Sequence, residues 1–143
     1  MRTIHTQIEI AAPATRVWDI VMAAEQWAEW NPFARVSGRF ALGERLSVEI
    51  APPGKKPMKF TPTVVRFEPG RELRWLGHLA FAGIFDGEHG LRVVPEDAGQ
   101  CRFEQFEAFS GLLAGPILWL AGDATRRGFE AMNRALKVRA EGA

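Results

Sequence analysis

From Ala34 to Phe109 the chain has the character of one strand after another, and beyond Gly111 it turns into a single long amphipathic stretch. Turn chemistry interrupts the first region at Leu42-Gly43-Glu44, Pro52-Pro53-Gly54-Lys55-Lys56, Glu68-Pro69-Gly70-Arg71 and Pro95-Glu96-Asp97-Ala98-Gly99-Gln100. Short strands joined by tight turns make an antiparallel meander. The spacing predicts strands at about 35–41, 44–51, 57–68, 71–80, 84–94 and 101–110. Pro62 weakens ladder pairing in the third, which marks an edge or a bulge there.

The remaining elements follow from periodicity. Residues 2–10 place Ile4, Thr6, Ile8 and Ile10 on one side and Thr3, His5, Gln7 and Glu9 on the other, the alternation of a half-buried strand. Pro13 suits the first turn of a helix, and Val17, Trp18, Val21 and Met22 then recur at helical spacing, which predicts a short helix over about 14–23. A second short turn, Glu25 to Trp30, stops at Asn31-Pro32 because the residue before proline is pushed out of the α region. After Ser110-Gly111, Leu112, Leu113, Ile117, Leu118, Leu120, Ala124, Phe129, Met132 and Leu136 alternate with basic residues as far as about Ala140. This helix begins at Pro116, or begins near Gly111 and bends at the proline.

The order therefore predicts an α+β fold in one domain over 1–143. A curved antiparallel sheet of seven strands, with two short helices after the first, wraps around one long C-terminal helix. A helix of ~25 residues is nearly 40 Å long and lies across a curved sheet without filling its concavity. A hollow between sheet and helix follows. With 143 residues and 47% apolar composition, there is material for one substantial core.

Composition excludes several classes. Net charge is +1, so no summed positive field recommends nucleic acid or an anionic membrane. Cys101 is the only cysteine and has no disulfide partner; His5, His78 and His89 are too few and scattered for a zinc cluster. No metal or other cofactor is expected. The start lacks a signal-peptide pattern and no apolar run approaches ~18 residues, which makes the cytoplasm the default compartment. Walker loops, dinucleotide fingerprints, His-Glu-x-x-His and nucleophile elbows are absent.

Four segments carry a family resemblance: Ala12-Pro13-Ala14-Thr15-Arg16-Val17-Trp18, Trp27-Ala28-Glu29-Trp30-Asn31-Pro32-Phe33, Gly83-Ile84-Phe85-Asp86-Gly87-Glu88-His89 and Glu107-Ala108-Phe109-Ser110-Gly111-Leu112-Leu113. They resemble the polyketide cyclase/dehydrase branch of the START-like, or SRPBCC, superfamily, which includes the birch-pollen allergen. The resemblance runs nearly end to end and implies the helix-grip fold, with a hydrophobic cavity between sheet and helix. It does not fix function, because that superfamily holds lipid carriers, hormone receptors, aromatic cyclases and chaperone activators. The paired-Cys and Cys/His spacing of its Rieske oxygenase members is missing, so no iron centre is expected.

The last hairpin supplies the sharpest candidates. If the turn at 95–100 centres it, His89 faces Glu107, Leu91 faces Gln105 and Val93 faces Phe103, all on one face. A slip of one residue would turn one strand's side chains to the other surface. Leu91, Val93, Cys101, Phe103 and Phe109 make the face apolar. His89, Gln105 and Glu107 are then polar groups aimed at the hollow, each costing about 1–3 kcal/mol unless paired. A His89–Glu107 pair ties two strands together, or binds a ligand, or moves a proton.

Other residues carry paired readings. Trp75, on one face with Leu73, Gly77 and Leu79, is a core aromatic or a cavity wall. His78 points the other way or sits near the mouth and receives no role. Trp27, Trp30, Asn31 and Phe33 form a plug around a turn or an aromatic entrance, with Trp30 the candidate contact. Leu91, Phe103, Phe109, Ile117 and Leu120 complete the candidate wall. The apolar run 112–122 is buried against the sheet, or forms a lid, or docks shallowly on a membrane. Arg126 and Arg127 are a solvated face or meet a carboxylate at the rim.

Three functions remain. The first is binding of a small hydrophobic ligand, such as a lipid, a polyketide or another apolar metabolite, driven by about 25 cal/mol per Å² of apolar area. The second, implied by the resemblance, is a metal-free cyclase or dehydratase in which His89 and Glu107 move protons. The third is a protein-interaction module. The expected partner is a small hydrophobic molecule, with neither nucleic acid nor stable membrane insertion; oligomeric state stays open.

Overall fold

The computed structural model describes residues 2–79 and 81–142. Its elements run β1 (Arg2–Ile10), α1 (Ala14–Met22), a 3₁₀ turn (Ala24–Gln26), α2 (Trp27–Trp30), β2 (Ala34–Ser37), β3 (Ser47–Ile50), β4 (Met58–Phe60), β5 (Thr63–Glu68), β6 (Glu72–His78), β7 (Asp86–Asp97), β8 (Gln100–Ser110) and α3 (Ala114–Glu141). This is the expected helix-grip order.

Five strands pair in the order β1-β8-β7-β6-β5 and three in the order β2-β3-β4, all antiparallel. Eight strands stand where seven were expected because the predicted strand 57–68 breaks at Thr61-Pro62, where proline has no N–H to give the ladder. The register nevertheless runs through the break. Val48 faces Phe60, and an isolated bridge joins Arg45 to Thr63 in step with it. Leu46 N–H donates to the Pro62 carbonyl at 2.8 Å and Val64 N–H to the Glu44 carbonyl at 2.9 Å. A bulge follows between Val64 and Arg66. The predicted strand 35–41 ends early because Gly38, at φ 115°, takes a conformation that side chains resist.

Helix α3 starts at Ala114, which leaves Pro116 in the first turn, where an N–H would have no intrahelical acceptor. The proline therefore neither starts nor bends it. At the far end, Arg16 Nε donates to the Ala140 carbonyl at 2.6 Å and Lys137 Nζ to the Glu9 carbonyl at 2.9 Å, while Glu141 Oε2 accepts the Ala11 N–H at 2.7 Å. The Arg16 guanidinium on a last-turn carbonyl complements the negative helix end, and Lys137 ties the helix to β1. In between, the Phe33 ring lies against Gly128, where a Cβ would come within 2.3 Å of it. The solid core, holding Ile10, Val17, Val21, Leu73, Leu91, Val93, Phe103 and Leu136, sits toward this end of the helix.

The opposite face of the sheet is ionic. Buried Glu72 accepts hydrogen bonds from Arg74 and Arg92, and Glu104 from Arg92 and Arg102. Burial pushes both carboxyls up. The guanidinium hydrogen bonds outweigh it and hold both below the usual carboxylate range. Arg74 and Arg92 also cover the ring of Phe106, at 5.0 and 4.8 Å from its centroid.

Candidate functional site

A cavity of about 100 Å³ opens between the sheet and the N-terminal half of α3. That is room for several waters or one compact organic molecule. Trp75 from β6 and Phe129 from α3 enclose His89, the first stacked at 5.0 Å and 14°, the second edge-on at 5.0 Å and 87°. Phe85 stacks on Phe109 at 5.4 Å, and Ile117, Ala121 and Met132 form the helical wall. Apolar surface dominates.

The polar corner comes from β7 and β8. Their register pairs His89 with Glu107, Leu91 with Gln105 and Val93 with Phe103. His89 Nδ1 lies 3.0 Å from Glu107 Oε1, and Nε2 lies 3.0 Å from Gln105 Oε1. Behind them Gln105 Nε2 donates to Asn133 Oδ1 at 2.8 Å and to the Phe129 carbonyl at 3.3 Å. Asn133 Nδ2 donates to Thr6 Oγ1 at 2.9 Å, and that hydroxyl donates to the Gln105 carbonyl at 2.9 Å. Gln105 and Asn133 are fully enclosed, whereas the Glu107 side chain keeps 20% of its surface. Thus one carboxylate oxygen is presented to the hollow and the rest of the network supports it.

Gly87 makes that carboxylate's position possible: a Cβ there would fall 2.0 Å from Glu107 Oε2. At the mouth, His78 Nδ1 sits 2.7 Å from Asp86 Oδ1, and Gly83 N–H donates to both Asp86 oxygens at 3.0–3.1 Å. The His78 hydrogen bond leads in holding the Asp86 carboxyl below its usual range. His78, given no role from sequence, is thus at the rim. Among the described residues no group of three or more His, Cys, Asp or Glu is placed to hold a metal ion, and burial pushes the Cys101 thiol up.

Of the predicted wall residues, Trp75, His89, Gln105, Glu107, Phe109 and Ile117 line the cavity. Four do not. Leu91 and Phe103 share the correct face but are sealed at 1% and 0% exposure in the solid core with Val17, Val21 and Leu136. Trp30 packs against Trp27 at 6.0 Å, and it is Trp27 that reaches the cavity. Asn31 closes a turn, its Oδ1 accepting from Phe33 and Ala34 N–H. Leu120 is 68% exposed and points away, because Ile117, Leu118, Ala121, Thr125, Phe129 and Met132 occupy about one third of the helix circumference and residue 120 lies outside that arc.

Burial of the whole 112–122 run is likewise overturned: Leu112 and Leu113 are exposed in the turn before α3, and Trp119 and Leu120 are exposed because they lie outside the arc of the helix that meets the cavity. Arg126 Nη1 donates to the His5 carbonyl at 3.1 Å, and Arg127 pairs with Asp123 at 3.1 Å. No helix among the described residues is long and apolar enough to cross a membrane. The missed residues Phe129 and Met132 had a signal, their place four and three positions along from Thr125 and Phe129 on a single helical stripe.

The fold has known relatives. The Zhui aromatase/cyclase from Streptomyces sp. R1128 superposes with a TM-score of 0.79 at 18% identity, covering 98% of this chain and 93% of that one. Norcoclaurine synthase from Thalictrum flavum gives 0.72 at 15%, covering 99% and 88%. A START superfamily protein from Mycobacterium smegmatis gives 0.73 at 18%, covering 97% of each chain. No curated protein sequence matches significantly. Residues 1–141 match the family model described as polyketide cyclase / dehydrase and lipid transport, and the chain belongs to that family.

Proposed function

We propose that the hollow binds one compact, largely apolar molecule and orients it through a single oxygen or nitrogen at Glu107. The observation that carries this reading is the distribution of polarity, with one partly exposed carboxylate in a cavity otherwise lined mainly by Trp, Phe, Ile and Met side chains. Affinity comes from apolar area removed from water, and the carboxylate fixes orientation. Native mass spectrometry of freshly purified protein tests it: a co-purifying small molecule, lost on denaturation, is expected. A chain that is always empty and takes up no compact aromatic compound would overturn it.

A second reading, ring closure or dehydration of a polyketide-like substrate, draws on the family and on the His89–Glu107 unit. The cavity would restrict substrate conformations and Glu107 would exchange the proton. Turnover that disappears in Glu107→Gln while binding survives would favour it over simple carriage.

A further inference from the structure

Resting on the binding reading above, we infer that Gln105 is a positioning residue that fixes a proton on His89 Nε2. This leaves Glu107 Oε2 as a hydrogen-bond acceptor toward the cavity. The site therefore selects a neutral O–H or N–H donor, such as a phenol or an enol, over a carbonyl compound or a carboxylate.

The directions of the buried hydrogen bonds compel the first step. The Phe129 carbonyl only accepts, so the Gln105 atom 3.3 Å from it is the amide nitrogen. The Thr6 hydroxyl spends its proton on the Gln105 carbonyl and so must accept from Asn133, which turns the Asn133 oxygen toward that same Gln105 nitrogen. Two main-chain carbonyls thus set the orientation of both amides. Gln105 Oε1 is left facing His89 Nε2 at 3.0 Å, and an oxygen without a hydrogen there requires a donor.

With Nε2 protonated, the second proton of the histidine and carboxylate pair lies between His89 Nδ1 and Glu107 Oε1. Whichever of those atoms carries it, Oε2 has none. Oε2 rests over Gly87 on the cavity side, and among the described residues no hydrogen bond reaches it. A ligand O–H completes its coordination. A ligand carbonyl or carboxylate would place two acceptors together with no hydrogen between them, in a site walled by aromatic rings.

Two measurements test this. In protein labelled with ¹⁵N-histidine, long-range proton–nitrogen correlations of the His89 ring are expected to show Nε2 protonated; an unprotonated Nε2 overturns the inference. Gln105→Met, which removes the acceptor, should abolish that fixed protonation. If Gln105→Met fails to fold, the wild-type spectrum decides alone. Calorimetric titration with phenol, acetophenone and benzoate is expected to rank phenol tightest by about tenfold, the scale of one buried hydrogen bond made against one left unmade. Equal affinity for the three overturns this inference while leaving the binding reading intact. Binding of none by a chain that also purifies empty overturns the binding reading, and the ring spectrum then decides the proton assignment by itself.

Discussion

A methyl group at residue 87 would lie 2.0 Å from Glu107 Oε2 and 3.1 Å from its Cδ, so the carboxylate occupies the space a side chain at Gly87 would take. The clash involves the far end of a flexible side chain. Gly87→Ala is therefore expected to move the carboxylate, not to break the sheet. Thermal stability should stay within about 1 kcal/mol of the parent, since glycine in a strand interior is itself unfavourable by roughly that amount. Affinity for a donor ligand should fall by about tenfold. A melt combined with calorimetric titration checks both, and an unchanged affinity would show that the position of Glu107 does not matter to the ligand.

Gly90→Ala should do the reverse. On the ionic face a Cβ at residue 90 meets the Phe106 ring at 2.3 Å, and that ring is capped by Arg74 and Arg92, so it has no free direction in which to retreat. Overpacking of this kind costs about 1–3 kcal/mol. The urea midpoint is expected to drop while ligand affinity holds, because residue 90 faces away from the cavity. Loss of affinity at constant stability would contradict the separation of the two faces.

These glycines mark the limit of what could be read without coordinates. The pairing of His89 with Glu107 was legible because a hairpin turn and period-two alternation fix register together, and the irregularity between Pro95 and Asp97 sits at the turn without shifting the pairs upstream. The helix-grip order was legible for a similar reason, as each element announces itself locally. What alternation does not encode is how far along a face the hollow extends: Leu91 and Gln105 are cross-strand partners, yet only Gln105 reaches the cavity. Nor does a glycine disclose which ring or carboxylate it makes room for. The Thr6–Asn133 link joins positions 127 residues apart, beyond any local pattern.

Acid should weaken the fold through Glu72 and Glu104. Both carboxyls sit below the usual range in the folded chain, so as pH falls the unfolded chain binds protons first. Their stabilisation is present in full at neutral pH and declines from about pH 5 downward, through the unfolded and then the folded values. Arg92→Met removes one donor from each, and its expected cost at pH 7 is about 1–3 kcal/mol, with a shallower loss on acidification. Urea titrations at pH 7, 5 and 4 read this directly. Identical acid slopes in parent and variant would remove the pair from the explanation.

The two halves of α3 should differ in local stability. Around 129–140 the helix is sealed onto the core by Phe129, Met132, Leu136 and Ala140 and tied down by Arg16 and Lys137, whereas around 118–123 it faces the hollow on one side and exposes Trp119 and Leu120 on the other. Local opening costs less where fewer buried contacts must be broken. Amide exchange across 118–123 is expected to be at least about tenfold faster than across 129–140, a difference of roughly 1.4 kcal/mol in opening free energy. A ligand filling the cavity supplies the missing apolar contact to Ile117, Leu118 and Ala121, so saturating phenol should slow exchange more in the first segment than in the second, whose cavity-lining Phe129 and Met132 are already buried. Uniform protection along the helix, with or without ligand, would mean that the end over the hollow is as firmly held as the end over the core.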